Sequence, residues 1–184
     1  MKQMVKIGIT LALIASVAAT TLAVVNAVTA PRIAIYEAKV IEEALQTVAG
    51  PYEIGESRES DDSSITSLYH LLDSNRNEVG YIVQLTGVGY GGEMTMMVSY
   101  LSDGEVLDAR LLANSETPGL GKKAEEAVYM EKFIATGGAN SVPQSKGELS
   151  KEEADSISGS TVTFAGVAKT VAYGSDFVKS LGGK

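Results

Sequence analysis

Cysteine is absent from this chain of 184 residues, and histidine occurs once, as His70. Without cysteine thiolates, the chain can build neither an iron–sulfur cluster nor a disulfide framework. One histidine and no cysteine also leave no ligand set for zinc or haem, so we expect no metal site and a structural role for His70. Any redox role must therefore depend on an organic cofactor.

Dense basic stretches are missing as well. The chain has 23 acidic and 15 basic residues, which gives a formal net charge of -8 at pH 7. The basic patches with interleaved aromatic residues that are typical of nucleic-acid-binding proteins do not occur. We therefore expect no nucleic acid among the partners of this protein.

Long apolar runs are limited to one, from residue 7 to residue 28. This run is long enough for one membrane-spanning helix of about 20 residues. A cleaved signal peptide is the alternative, because Lys2 and Lys6 form a positive leader and residues 28–30 resemble a cleavage site. Pro31 argues against cleavage, since a proline directly after the cleavage site is poorly tolerated, and the run exceeds the usual signal-peptide length of about 7–15 residues. We predict a retained transmembrane helix.

Charges flanking the apolar run predict its orientation. Lys2 and Lys6 precede the run, whereas acidic residues follow soon after Arg32. The positive-inside rule then places the N-terminus in the cytoplasm of a cell whose cytoplasmic membrane holds this single-pass chain. We predict three parts: residues 1–30 as cytoplasmic tip and transmembrane helix, 31–64 as stalk helix and linker, and 65–184 as a folded domain on the outer face.

The pattern after the apolar run changes twice. Apolar residues at helical spacing from Ile33 to Val48 predict a stalk helix that ends at Gly50–Pro51. The polar residues 53–64 lack a core pattern and predict an exposed loop or linker. From residue 65, two strand–turn–strand patterns at residues 66–85 and 94–112 predict two β-hairpins, and hence an α+β domain in which a small antiparallel sheet packs with helices.

Two glycine-containing segments are candidates for ligand contact. Glycines at positions 87, 89, 91 and 92 surround Tyr90, which is typical of a turn but also permits close approach of the backbone to a ligand. Glu116–Gly121 reads Glu-Thr-Pro-Gly-Leu-Gly and lies between a predicted strand and a predicted helix over 122–134. Pro118–Gly119 predicts a type II turn.

A third segment, Asp155–Thr163, carries hydroxyl groups on a glycine-containing turn that precedes a helical pattern. The free N–H groups and the positive dipole of a helix N-terminus favour an anion, so Ser158, Ser160 and Thr161 are candidates to surround a phosphate group, with Gly159 in the turn. The alternative is an ordinary helix N-cap, for which serine and threonine are common residues. By itself the segment does not decide between the two.

Gly-Tyr-Gly-Gly at 89–92, Glu-Thr-Pro-Gly-Leu-Gly at 116–121 and Asp-x-x-Ser-Gly-x-Thr at 155–161 occur together in this order. With the N-terminal apolar run, they make the chain resemble the G subunit of the Rnf ion-translocating ferredoxin:NAD oxidoreductase complex. That family has a covalent FMN-binding domain and is related to the C subunit of the sodium-pumping NADH:quinone oxidoreductase. The resemblance implies that the phosphate of FMN is joined to the hydroxyl of Thr161 by a flavin transferase. Ser160 stands where the family usually has alanine and adds a second candidate hydroxyl.

The resemblance also implies roles for other residues. The loop 116–121 is expected to contact the flavin ring, with Leu120 packing against it and with Glu116, Thr117 and the backbone of Gly119 and Gly121 near its polar edge. Lys123, or its neighbour Lys122, is a candidate to stabilise the anionic form of a reduced flavin. Asp155 is expected to be recognised by the flavin transferase, although an acidic residue before a helix also favours the helix dipole.

The function implied by the resemblance is electron transfer within a membrane complex that couples ferredoxin and NAD to Na⁺ or H⁺ transport. Its partners would be the other subunits of the Rnf complex and the flavin transferase. The chain would belong to an enzyme as a subunit of an ion-pumping NAD/ferredoxin oxidoreductase complex, and the sequence leaves open whether the isolated chain is an enzyme. The C subunit of the sodium-pumping quinone reductase is one alternative, although that subunit tends to be longer. A membrane-anchored binding or scaffold protein without flavin is another, and an enzyme that binds flavin reversibly is a third. The coupling ion is not indicated by the sequence.

Overall fold

The computed structural model of this protein describes residues 2–58, 60 and 62–182. The remaining residues, Met1, Glu59, Asp61, Gly183 and Lys184, fall within the predicted ranges 1–30, 31–64 and 65–184 but lie outside the described residues. The chain divides into two compact units, Met1–Ile41 and Glu42–Lys184. We describe each unit by itself.

Helix α1 is a single α-helix of 48 residues, Lys2–Ala49, with Pro31 inside it. At a rise of 1.5 Å per residue, its length is about 70 Å, more than the roughly 30 Å of the hydrocarbon core of a bilayer. It is long and apolar enough to cross a membrane. The helix ends where Gly50 adopts a positive φ of 55°, as a glycine after a helix commonly does. The predicted continuation from Ile33 to Val48 and the predicted end at Gly50 are therefore confirmed.

Five antiparallel strands form one sheet in the order β1-β2-β3-β4-β5. The strands are β1 (Glu53–Arg58), β2 (Ile65–Leu72), β3 (Glu78–Val88), β4 (Glu93–Leu101) and β5 (Val106–Asn114). β2 with β3 and β4 with β5 are the two predicted hairpins. The α+β architecture expected from the sequence is confirmed.

The first strand was not expected. Residues 53–64 were predicted to be an exposed loop, and this prediction was wrong for β1, which pairs with β2 from Glu53 opposite Leu72 to Arg58 opposite Leu68. Most of β1 is exposed, because it is an edge strand that contributes backbone hydrogen bonds rather than buried side chains. A strand of this kind has no apolar alternation from which a sequence pattern could identify it.

One helix covers a face of the sheet. α4 (Thr161–Gly182) packs on β3 and β4 and buries Phe164, Val167 and Val171 completely. Tyr100 on β4 donates a hydrogen bond of 2.9 Å from its hydroxyl to the carbonyl oxygen of Val171. Complete burial raises the pKa of Tyr100 well above its usual value, so this hydroxyl stays a donor and fixes α4 on the sheet.

The segment after β5 differs from the prediction of one helix over 122–134. It consists of a 3₁₀ turn at Gly121–Glu125, the short helix α2 (Ala127–Met130) and a second 3₁₀ turn at Glu131–Phe133. Glu126 breaks the helix because its backbone is extended, with φ -79° and ψ 135°. The apolar residues Tyr129, Met130 and Phe133 are nevertheless buried, so the pattern identified the buried side chains but not the backbone path.

Candidate functional site

A tight turn leads into α4. It follows the short helix α3 (Lys151–Ser156), which begins with a capping box formed by Ser150 and Glu153. Gly159 has a φ of 84°, and the N–H of Ser160 donates to the carbonyl oxygen of Ile157 at 2.9 Å. Thr161 is the first residue of α4. The predicted hydroxyl-bearing turn before a helix N-terminus is therefore present, and the first N–H groups of such a helix have no partner within it.

The hydroxyl groups of Ser160, Thr161 and Thr163 have different environments. The Ser160 hydroxyl is buried and donates to the carbonyl oxygen of Ile157 at 3.0 Å. The Thr163 hydroxyl is buried and donates to Oε2 of Glu116 at 2.9 Å. Thr161 is exposed, and its hydroxyl has no hydrogen-bond partner within residues 2–58, 60 and 62–182. Of these three groups, only the Thr161 hydroxyl is available to a ligand.

The loop between β5 and the first 3₁₀ turn lies beside this helix terminus. The N–H of Leu120 donates to the carbonyl oxygen of Thr117 at 3.2 Å, and Gly119 has a φ of 77°. These are the features of the type II turn predicted at Pro118–Gly119. A Cβ atom placed on Gly159 would lie 2.9 Å from Cδ2 of Leu120, so the turn before α4 and the loop 116–121 are in direct contact.

The tip of the β3–β4 hairpin supplies a third wall. The N–H of Gly89 donates to the carbonyl oxygen of Gly92 at 2.8 Å, which closes the loop and leaves Tyr90 at its end. The Tyr90 side chain is 72% exposed. Because Tyr90 stands free on a short closed loop, its ring is available to stack on a flat ligand.

These three segments enclose a pocket of about 400 Å³, within the size range of small-molecule sites. Its lining combines exposed apolar side chains with hydroxyl and carboxyl groups. It is lined by Tyr90, Glu116, Thr117, Leu120, Gly121, Gly159, Ser160, Thr161, Val162 and Thr163.

Most of the residues predicted from the sequence line this pocket, namely Glu116, Thr117, Leu120, Gly121, Gly159, Ser160 and Thr161. Ser158, Gly119, Lys123 and Asp155 do not. Ser158 and Asp155 are exposed outside the pocket lining, and Gly119 is at the exposed corner of its loop. Lys122 forms an ion pair with Glu125 at 3.1 Å, and neither Lys122 nor Lys123 is among the residues that line the pocket.

Three lining residues were missed as ligand contacts by sequence reasoning. Tyr90 had a signal, since four glycines surround it. Val162 and Thr163 entered the prediction only as the end of the segment Asp155–Thr163 and the helical pattern that follows it. Their proximity to the loop 116–121 depends on the path of α4 and could not be read from the sequence.

Aromatic side chains pack beside the turn that precedes α4. The Phe164 ring stacks on Phe133 with centroids 5.1 Å apart and meets Tyr129 edge to face at 6.2 Å. The Tyr129 hydroxyl donates to the carbonyl oxygen of Ser160 at 3.5 Å. Burial, together with the negative charge of Glu116, raises the pKa of Tyr129 to about 12. Tyr129 therefore remains protonated at neutral pH and acts as a donor beneath the turn.

The site fits the group that the sequence motifs imply. A helix N-terminus and a free hydroxyl at Thr161 suit a phosphate, and the exposed side chains of Tyr90, Leu120 and Val162 suit a flat apolar ring. Thr117 adds a polar side chain to the same lining. The residues present are therefore compatible with FMN.

Comparisons with known proteins agree with this geometry. The family described as FMN-binding domain matches residues 89–175, and the family described as RnfG N-terminal region matches residues 1–48. The chain is 30% identical over 186 residues to the G subunit of the Na(+)-translocating ferredoxin:NAD(+) oxidoreductase complex of Acetobacterium woodii, covering 92% of this chain and 89% of the relative.

Other relatives match at similar length. The G subunit of the ion-translocating oxidoreductase complex of Methanosarcina acetivorans is 26% identical over 187 residues, covering 97% of this chain and 96% of the relative. The protein of the same description from Shewanella oneidensis is 28% identical over 184 residues, covering 91% and 86%. The chain belongs to the family of G subunits of ion-translocating ferredoxin:NAD oxidoreductase complexes, with an FMN-binding domain that contains the pocket described above.

Proposed function

We propose that this protein is an electron-carrying subunit of a membrane complex that transfers electrons between ferredoxin and NAD and couples the transfer to ion transport. The observation that supports this most is the meeting of three motif segments around one pocket at the start of α4. The roles of ferredoxin and NAD are taken from the description of a relative that matches nearly the whole chain, the G subunit of a ferredoxin:NAD(+) oxidoreductase complex. The chain contributes to catalysis as part of the complex, because its sequence contains no dinucleotide-binding fingerprint of its own.

The cofactor in this proposal is FMN, linked through its phosphate to Thr161. The Thr161 oxygen forms the new ester bond to phosphorus, the hydroxyl proton leaves, and the leaving group of a flavin nucleotide donor departs from phosphorus. A flavin transferase catalyses the step. Thr161 is the best-suited residue because its hydroxyl is exposed at the helix N-terminus, whereas the hydroxyls of Ser160 and Thr163 are buried and engaged.

The protein supplies attachment and orientation, whereas FMN supplies the electron transfer itself. The phosphoester fixes one end of the group at Thr161, and the N-terminus of α4 stabilises the phosphate charge. Leu120 and Tyr90 provide apolar contact for the ring. Exposed side chains around the pocket leave the site open to a neighbouring electron donor or acceptor.

We propose that residues 1–30 include the membrane-spanning part of α1, that residues 31–64 connect it to the FMN domain, and that residues 65–184 lie on the outer face of the cytoplasmic membrane. Lys2 and Lys6 at one end of the apolar run support a cytoplasmic N-terminus. Asp155 is exposed on the last turn of α3 and is accessible to a flavin transferase. Labelling of Gln3→Cys and Asp103→Cys from either side of the membrane tests this orientation.

Intact mass tests the covalent linkage. The chain is produced in membranes together with a flavin transferase, and an increase equal to FMN minus one water is expected on the peptide that contains Thr161. Thr161→Ala should remove the increase, and Thr161→Ser should retain part of it. Ser160→Ala is the matched control and should leave the increase unchanged, because its hydroxyl is turned into the preceding turn. An unmodified mass for the parent chain would contradict the proposal.

Electron transfer is tested in the assembled complex. Thr161→Ala should abolish ferredoxin-dependent reduction of NAD while the complex keeps its subunit composition. If reduction continued at the parent rate in complexes without covalent flavin on this subunit, the electron-carrying role would be wrong.

A further inference from the structure

The carboxylate of Glu116 is buried between the segments that form the pocket. The residue is only 4% exposed, although its neighbours from Thr117 to Leu120 are exposed. Oε1 accepts a hydrogen bond from the N–H of Gly91 at 3.1 Å, and Oε2 accepts one from the Thr163 hydroxyl at 2.9 Å. The N–H of Glu116 donates to Oδ1 of Asn114 at 3.0 Å. Both carboxylate oxygens are thus used by protein groups.

Glycines make room for this carboxylate. A Cβ atom on Gly89 would lie 2.1 Å from Oε1 of Glu116, and one on Gly121 would lie 2.1 Å from Oε2. Both distances are far below van der Waals contact, so neither position accepts a side chain while the carboxylate keeps its place. Gly89 and Gly121 therefore have the same structural role in two of the motifs, because each lets its backbone lie against the carboxylate of Glu116.

The partners of Glu116 belong to separate parts of the chain. Gly91 is in the β3–β4 loop, Thr163 is in the first turn of α4, and Glu116 itself begins the loop 116–121. The start of the hairpin loop also lies against α4, since a Cβ atom on Gly166 would be 2.3 Å from the carbonyl oxygen of Val88, at the end of β3, and 3.2 Å from Cα of Gly89. Thr163 is two residues from Thr161 in the same helical turn. The carboxylate therefore joins both loop walls of the pocket to the turn that carries the attachment residue.

We propose that Glu116 is a positioning residue, whose carboxylate holds the loops 89–92 and 117–121 against the first turn of α4. It acts on the ligand through these loops, which places Tyr90 and Leu120 at fixed positions relative to Thr161. This differs from the expectation from the sequence that Glu116 contacts the cofactor directly. The inference deepens the proposed function and rests on it only for the identity of the ligand.

Amide hydrogen exchange on the full chain without flavin tests the role of Glu116 separately from the proposed function. The chain is prepared as Thr161→Ala in detergent micelles, so that no flavin is attached to it. Glu116→Ala in this background should accelerate exchange about 10-fold or more in peptides that cover both loops, because one buried hydrogen-bonded group anchors them. Peptides from β2 should be unchanged. Acceleration confined to the loop 116–121, or spread equally over the sheet, would overturn the proposal.

Conservative variants separate positioning from general stability. Thr163→Val removes the donor to Oε2 at nearly constant volume and should accelerate exchange in the same two loops. Thr163→Ser and Glu116→Gln are the matched controls and should stay within about 2-fold of the parent, since serine keeps the hydroxyl and glutamine can accept from Gly91 and donate to Thr163. If Thr163→Val left both loops protected, the link to α4 would not exist.

In chains that carry flavin, Glu116→Ala and Thr163→Val should lower the fluorescence anisotropy of the bound flavin, compared with the parent at equal flavin content, because the ring loses its fixed walls. Thr163→Ser and Glu116→Gln should keep the parent anisotropy. Parent anisotropy in Glu116→Ala with full flavin content would count against the positioning role. Absence of flavin from the parent chain would instead contradict the proposed function and leave the exchange result standing.

Discussion

Helices α1 and α4 are both rich in apolar residues, but α4 buries one face along much of its length, whereas α1 buries only Ala44, Val48 and Ala49 at its end. Between Lys2 and Lys39 every described residue of α1 is exposed. In α4, one face is buried against the sheet, including Phe164, Val167 and Val171. An apolar helix that no protein covers requires another apolar environment. We propose that the bilayer supplies it, so that α1 is adapted to lipid and α4 to the interior of the folded domain.

Hydroxyl groups show the same difference. In α1, Thr20 and Thr21 donate to the carbonyl oxygens four residues earlier, Ser16 and Val17, at 2.8 and 2.9 Å. In α4, Thr170 donates in the same way to the carbonyl oxygen of Gly166 at 2.8 Å, but Thr163 donates to Glu116, 47 residues away in sequence. A helix in lipid must satisfy its polar groups internally, whereas a helix on a sheet can use its hydroxyls to hold other segments.

The largest difference is expected from removal of a buried ring. Phe164→Ala should lower the free energy of unfolding by about 3–5 kcal/mol, because it leaves a cavity beside Phe133 and Tyr129. The matched change in α1, Leu22→Ala, should leave this free energy unchanged. Denaturant unfolding of the full chain in micelles, followed by near-ultraviolet circular dichroism, measures both. Equal effects of the two substitutions would contradict the comparison.

Introduction of a charge at an exposed apolar position distinguishes a residue that faces lipid from one that faces water. Leu13 and Val128 are 63% and 64% exposed, but we propose that Leu13 faces lipid and Val128 faces water. Leu13→Arg should make membrane insertion less favourable by about 3 kcal/mol. Val128→Arg should change the stability of the domain by less than about 0.5 kcal/mol.

Insertion of the first helix is measured with a glycosylation-reporter assay, and domain stability is measured by denaturant unfolding. Unchanged insertion of Leu13→Arg would remove the argument that exposure of α1 reflects lipid contact.

A smaller difference is expected from removal of one hydroxyl in each helix. Thr163→Val should lower the free energy of unfolding by about 1–3 kcal/mol, because Oε2 of Glu116 loses its donor while it stays buried. Thr21→Val should have no measurable effect on domain stability, since its hydroxyl bonds only to its own helix. The same unfolding assay compares them, and a neutral Thr163→Val would show that the contact with Glu116 contributes little to stability.

Several elements could be predicted because their signals are local. The apolar run, the hairpin turns, the Pro118–Gly119 turn and the start of α4 each depend on residues close in sequence. β1 could not be predicted, because an exposed edge strand is specified by the backbone of β2 rather than by its own side chains. The helix over 122–134 was predicted too simply, because the extended backbone at Glu126 interrupts a pattern whose apolar side chains are still buried.

The sequence by itself determined the α+β class and the apolar helix, because these depend on composition, periodicity and local turn chemistry. It also contained the three motifs, whose joint order carried the resemblance to the family. Only the tertiary structure decided which groups of the motifs face the pocket. Ser160 and Thr161 are adjacent in sequence, yet one hydroxyl is buried in a turn and the other is free, because a helix start points successive side chains in different directions. The contact between Glu116 and Thr163 likewise exists only because α4 packs across the sheet beside the loop that follows β5.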